Sequence, residues 1–141
     1  MKADVAFVSC VKMKADRPMM AKDLYISPWF RMARAYVEKN AKKWFILSAA
    51  HGFVHPDVVI EPYDATLNGA TVERRSAWAQ MVSRQLDGRE RELCGTKAII
   101  LAGLNYRRGL ITPLQKMYGT VEVPMEGLMI GQQLSWLSKR T

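Results

Sequence analysis

The chain has 141 residues, 49% apolar, 24% charged and 9% aromatic, with four tryptophans; this composition excludes a disordered tail or a low-complexity linker. Lysine and arginine number 21 against 13 acidic residues, a net charge of +8 with a pI near 9.7, which favours a polyanionic partner, nucleic acid before any other. No apolar run approaches the roughly 18 residues a membrane-spanning helix needs, so no membrane partner is expected, and the length fits a single domain over residues 1–141.

The first segment carries Asp4 and runs straight to Lys12, with no small-residue cleavage site, so it is not expected to be a secretory signal. Val5-Ala6-Phe7-Val8 reads as a strand covered on both faces. Cys10 follows it. With Cys94 it makes two cysteines far apart in sequence, which suggests a reducing cytoplasm rather than a disulfide scaffold. Over residues 27–40, Trp29, Phe30, Ala33, Tyr36 and Val37 recur at spacings of three and four, and Ser27-Pro28 has the form of an N-cap followed by Pro at the first helical position. Trp44-Phe45-Ile46-Leu47 is a second buried strand.

Residues 49–68 have no helical period and contain Gly52, Pro56 and Pro62; a loop this long inside a compact domain is usually functional when ordered. Residues 71–86 form a helix with Ala77, Trp78, Met81, Val82 and Leu86 on one face. Thr71 is placed to cap it, Gly88 ends it, and a further helical stretch is expected towards Cys94. Ala98-Ile99-Ile100-Leu101-Ala102 is a third buried strand, and Val121-Glu122-Val123 a short edge strand. Helices over 105–118 and 130–139 complete the pattern. Alternating strands and helices predict an α/β fold: a three-layer α/β/α arrangement around a short, mainly parallel central sheet.

Ligands of such sheets bind beyond the carboxyl ends of the strands. Here those ends are Ser9-Cys10-Val11-Lys12-Met13-Lys14, Ser48-Ala49-Ala50-His51-Gly52 and Gly103-Leu104-Asn105-Tyr106-Arg107-Arg108. Lys12, Lys14 and Arg107 are candidates for phosphate contacts, and Ser9, Ser48 and Asn105 for hydrogen bonds to a ligand. Cys10 is either a nucleophile lowered in pKa by its lysine neighbours or a small buried side chain. Tyr25, Tyr63 and Tyr106 offer faces on which bases stack. His51 is a candidate general acid or base. His51 and His55 have a metal-ligand spacing only on a helix, which Gly52 and Pro56 oppose, so neither a metal nor a cofactor is expected. The loop also delivers Asp57, Glu61 and Asp64. Asp64, fixed by Pro62-Tyr63 before it, is the best single acid, with Asp57 behind it; either carboxylate can act in catalysis or brace the loop.

Several blocks, including Ala21-Lys22-Asp23-Leu24-Tyr25-Ile26-Ser27-Pro28-Trp29-Phe30, Ser48-Ala49-Ala50-His51-Gly52-Phe53-Val54, Glu61-Pro62-Tyr63-Asp64-Ala65-Thr66-Leu67 and Gly127-Leu128-Met129-Ile130-Gly131, resemble a small bacterial and phage family of unknown function whose members are labelled YaaA-like, after a DNA-binding protein. The middle block, residues 46–54 with Pro56-Asp57 and residues 61–67, is also similar to domains appended to relatives of archaeal tRNA-guanine transglycosylase, which look like uracil-DNA glycosylases. The resemblance implies a three-layer α/β/α fold and nucleic-acid bases as substrate class. Combined with the residues, it leads to the expectation of a DNA glycosylase-like enzyme that cleaves the N-glycosidic bond of a modified base, with DNA ahead of RNA as partner. The alternatives are a non-catalytic DNA-binding module and a nucleoside enzyme such as a deoxyribosyltransferase.

Overall fold

Residues 2–141 are described by the computed structural model. In chain order the elements are β1 (Ala3–Ser9), β2 (Met19–Met20), α1 (Ala21–Leu24), α2 (Pro28–Asn40), β3 (Ala41–Ser48), β4 (Gly52–Val54), β5 (Val59–Ile60), α3 (Val72–Asp87), β6 (Lys97–Leu101), α4 (Leu104–Arg107), α5 (Ile111–Met117), β7 (Thr120–Glu122) and α6 (Ile130–Ser138).

The apolar runs become the inner strands. Phe7, Val8, Ile46, Leu47, Ile100 and Leu101 are all buried, as both faces of a parallel sheet require. The five-stranded order is β4-β3-β1-β6-β7. β1 pairs in parallel with β3, Ala3 opposite Ala41 and Ser9 opposite Leu47, and with β6, Val5 opposite Ala98. β6 pairs in parallel with β7, and β4 returns antiparallel on β3. From β1 the chain moves one way to β3, then back across β1 to β6. Right-handed crossovers in opposite directions put α2 and α3 on opposite faces. α6 packs on α2, and α3 lies against β4. This is the predicted α/β class, with helices on both sides of a mostly parallel sheet.

Both predicted helix starts are built as read. Ser27 Oγ accepts from the Phe30 N–H at 3.1 Å with Pro28 at the first turn, and Thr71 Oγ1 accepts from the Arg74 N–H at 3.1 Å. Three expectations are corrected. The helix over 105–118 is two short helices, α4 and α5: Pro113 has no N–H to bond the Gly109 carbonyl and cannot sit deep inside a longer helix, and the corner at Gly109 packs closely on Ala79. The stretch towards Cys94 consists of turns. The long loop contains β4 and β5, the latter paired antiparallel with β2. None of the described helices is long and apolar enough to cross a membrane.

Candidate functional site

The direction of the crossovers reverses between β1 and β6, so a crevice opens beyond the carboxyl ends of those two strands. The Cys10 N–H donates to the Leu47 carbonyl at 2.9 Å, which extends the β1 ladder by one residue and fixes Cys10 at the floor. Two adjoining cavities meet there. One, of about 480 Å³, is bordered by Lys12, Lys14, Tyr63, Asp64 and Thr66. The other, of about 470 Å³, is bordered by Ser9, Met13, Trp29, Ile130 and Gln133. Cys10, Val11, Lys12, Asn68 and Tyr106 line both. The first is cationic with one carboxylate. The second is the more apolar.

Two hydrogen-bonded clusters form the walls. In the first, Tyr106, on α4, is buried. Its hydroxyl accepts from the Leu67 N–H at 3.2 Å and from the Cys10 thiol at 3.6 Å, and lies 3.5 Å from Thr66 Oγ1. The Ala49 N–H points at Cys10 Sγ, 3.4 Å away. Strand ends and the long loop are thus tied through one thiol and one phenol. Burial raises the Tyr106 pKa above its ordinary value, and the neighbouring Cys10 adds to the rise.

In the second cluster, Ser48 is fully buried. Its hydroxyl oxygen accepts from the Ala50 and His51 N–H groups at 3.2 and 3.0 Å, and its proton goes to the Tyr63 oxygen at 2.8 Å. The Tyr63 and Tyr25 hydroxyls lie 2.6 Å apart. Burial pushes both phenols well above their usual range. Both stay neutral, and each bonds the other within this chain. An edge-on contact sets the exposed His51 ring 5.4 Å from the Tyr63 ring at the rim.

Lys14 reaches the crevice because residues 13–15 pair with 24–26. Lys14 bridges Tyr25, the Ala15 N–H bonds the Leu24 carbonyl, and the Ile26 N–H bonds the Met13 carbonyl. Its ammonium then sits 4.4 Å above the Tyr63 ring. Partial burial lowers its pKa below the ordinary lysine value, while nearby Cys10 and Asp64 pull the other way. Asp64 is exposed, and among the described residues it makes no ion pair.

Of the residues proposed from the sequence, Ser9, Cys10, Lys12, Lys14, Tyr63, Asp64 and Tyr106 line the crevice. Tyr25 and Ser48 support it from beneath. Asn105 stands next to it, its amide donating to Asn68 Oδ1 at 3.1 Å. Two candidates lie apart. Asp57 is bound to Lys22 at 2.6 Å, beside His55. Arg107 turns its guanidinium back to the Ala102 carbonyl at 2.9 Å. Asp23 is likewise paired, with Arg34 at 2.8 Å.

Sequence reading missed Thr66, Asn68 and the α6 wall. Trp29, buried in the core as its helical spacing predicts, also lines the second cavity, and its indole N–H donates to Gln133 Oε1 at 2.9 Å. The available signal was that indole, since a buried Trp needs a partner for its N–H.

Residues 5–139 match a family described as a family of unknown function, DUF6884. A stretch of 50 residues is 40% identical to a Bacillus subtilis (strain 168) protein titled "Uncharacterized protein YfjM", covering 35% of this chain and 33% of that protein. The match thus spans about a third of the relative's length. No solved structure matches the chain.

Proposed function

Since the chain belongs to the DUF6884 family of unknown function, its activity has to be argued from its own crevice, and we propose that it binds nucleic acid, DNA before RNA, and cleaves the N-glycosidic bond of a base, a modified base foremost. One observation carries this reading. Asp64, without an ion pair among the described residues, shares a cavity with Lys12 and Lys14, and that cavity adjoins a more apolar chamber walled by Trp29. A base fits the apolar chamber, and the lysines suit the phosphates beside it.

Breaking the C1′–N bond sends its electron pair to the base and leaves positive charge on the sugar. A carboxylate next to that carbon stabilises the charge and accepts a proton from the water that attacks it. The departing base takes up a proton, a role this reading gives to His51, which stands at the Tyr63 rim. Asp57 has no part in it, because Lys22 already holds it. The resemblance to YaaA-like proteins and to uracil-DNA-glycosylase-like domains supports the choice of a base as leaving group. An extruded base gains such a pocket in return for its unstacking cost.

The test is release of free base, or of alkali-sensitive abasic sites, from DNA carrying modified bases. Asp64→Asn keeps the shape and removes the charge. It should cut release by about 10²–10³-fold, with melting temperature and DNA affinity unchanged. An active Asp64→Asn protein rejects the carboxylate's role. Wild-type protein that binds DNA and releases nothing is a binding module instead. Release confined to free nucleosides makes it a nucleoside enzyme.

A further inference from the structure

A third cavity, of about 320 Å³, opens where α3 meets the α4–α5 corner. Its floor is the close contact of Gly109 with Ala79, where a β-carbon at position 109 would meet the Ala79 methyl at 2.6 Å. Its walls carry Arg75, Gln80 and Ser83 from α3, and Asn105, Tyr106 and Arg108 from the corner. No carboxylate lines it. Arg75 is held in place by donating to the Ala70 carbonyl at 2.6 Å, and Arg108 is exposed, with no ion pair among the described residues.

This groove lies next to the crevice and shares a wall with it. Tyr106 borders all three cavities, and the 3.1 Å Asn105–Asn68 bond joins the wall of the groove to the wall of the crevice. A pocket for a single nucleotide has no use for a second groove, carrying two arginines, beside it. A strand does: each residue beyond the bound one brings another phosphate.

We propose that the α3–α4 groove receives the strand that flanks the nucleotide held in the crevice, so that the ligand is a polynucleotide and not a mononucleotide. The proposal rests on the nucleic-acid reading above and names its substrate class. Arg75 and Arg108 meet successive phosphates. Gln80 and Ser83 offer neutral hydrogen bonds between them.

The experiment measures the affinity of a mononucleotide and of single strands of about four and about eight nucleotides, a usual range of site sizes. The proteins are the wild type, Arg108→Glu, Gln80→Glu and the control Arg31→Glu, which makes the same charge change as Arg108→Glu at an exposed position of α2. The expected result is affinity that rises with length. For the eight-nucleotide strand, Arg108→Glu and Gln80→Glu should each lose about tenfold, with the salt slope shallower for Arg108→Glu, and both should leave mononucleotide binding unchanged. Affinity independent of length, with the mononucleotide still bound, overturns the groove and leaves the crevice reading standing. Equal losses for Arg108→Glu and Arg31→Glu overturn it too, since net charge alone would then be at work. Failure to bind any of the three ligands overturns both readings.

Discussion

Lys14 stands under two opposed influences. The Tyr63 face 4.4 Å below attracts its charge, an effect of about 0.5–1 kcal/mol at exposed sites, while partial burial lowers its pKa from the ordinary 10.5. A lowered lysine pKa means that the fold holds this proton less firmly than the unfolded chain does. The penalty is complete below the lowered pKa and disappears as pH rises through it to 10.5. Lys14→Met keeps the stem over the ring and removes the charge. It should raise the melting temperature at about pH 7, with a gain that shrinks towards about pH 10, while weakening anion binding. Thermal melts across that range check it. A variant that melts lower at neutral pH would mean that the ring outweighs desolvation. Ser48, by contrast, has all its hydrogen bonds inside the protein. Its place is beneath Tyr63, where it fixes the wall that Lys14 rests on.

Among the elements, β4 depends most on a single backbone conformation. Gly52 sits at φ +73°, and the Gln85 amide folds over it, accepting from the Phe53 N–H at 2.8 Å and donating to the His51 carbonyl at 3.0 Å. A β-carbon at position 52 would collide with that amide. Gly52→Ala therefore carries left-handed strain and breaks the clasp between α3 and the β3–β4 turn. A loss of about 1–3 kcal/mol, or roughly 3–10 °C in melting temperature, is expected in calorimetry; an unchanged melt would show that Gln85 swings aside freely. The same turn marks how far sequence reading reaches. Ser27 and Thr71 announce their helices because capping is a local matter of one side chain and one N–H. β4 is only three residues long and takes its strand character from its partner β3, which no window of residues around Phe53 reveals. The break between α4 and α5 was missed although Pro113 announces it locally, since a proline that deep in a helix ends or kinks it. In the crevice, the side chains at strand ends were legible from topology rules alone. Asn68 and Gln133 reach it through loop and helix packing, which have no periodic signature.

At the scale of the whole molecule, the distribution of charge says more than its total. Ion pairs hold Lys22, Arg34, Lys42, Arg89 and Lys97; most of the other basic residues are free of them among the described residues, and four of these, Lys12, Lys14, Arg75 and Arg108, gather around the crevice and its groove. If these four meet phosphates of a single strand, log affinity should fall with log salt at a slope of about −3, and Lys12→Ala should remove about 0.7 of it. Titrations at several salt concentrations measure this directly, and a flat dependence would count against a polymeric anion. The sheet beneath has a consequence of another kind. One edge is β4, three residues long and buried under α3; the other is β7, also three residues, where Glu122 is paired to Lys97 at 3.0 Å. Open sheets polymerise by adding a neighbour's strand along a long free border of N–H and C=O groups. Here one border is covered and the other is short and charged, so crowded copies of the main sheet have almost nowhere to zip together into fibres.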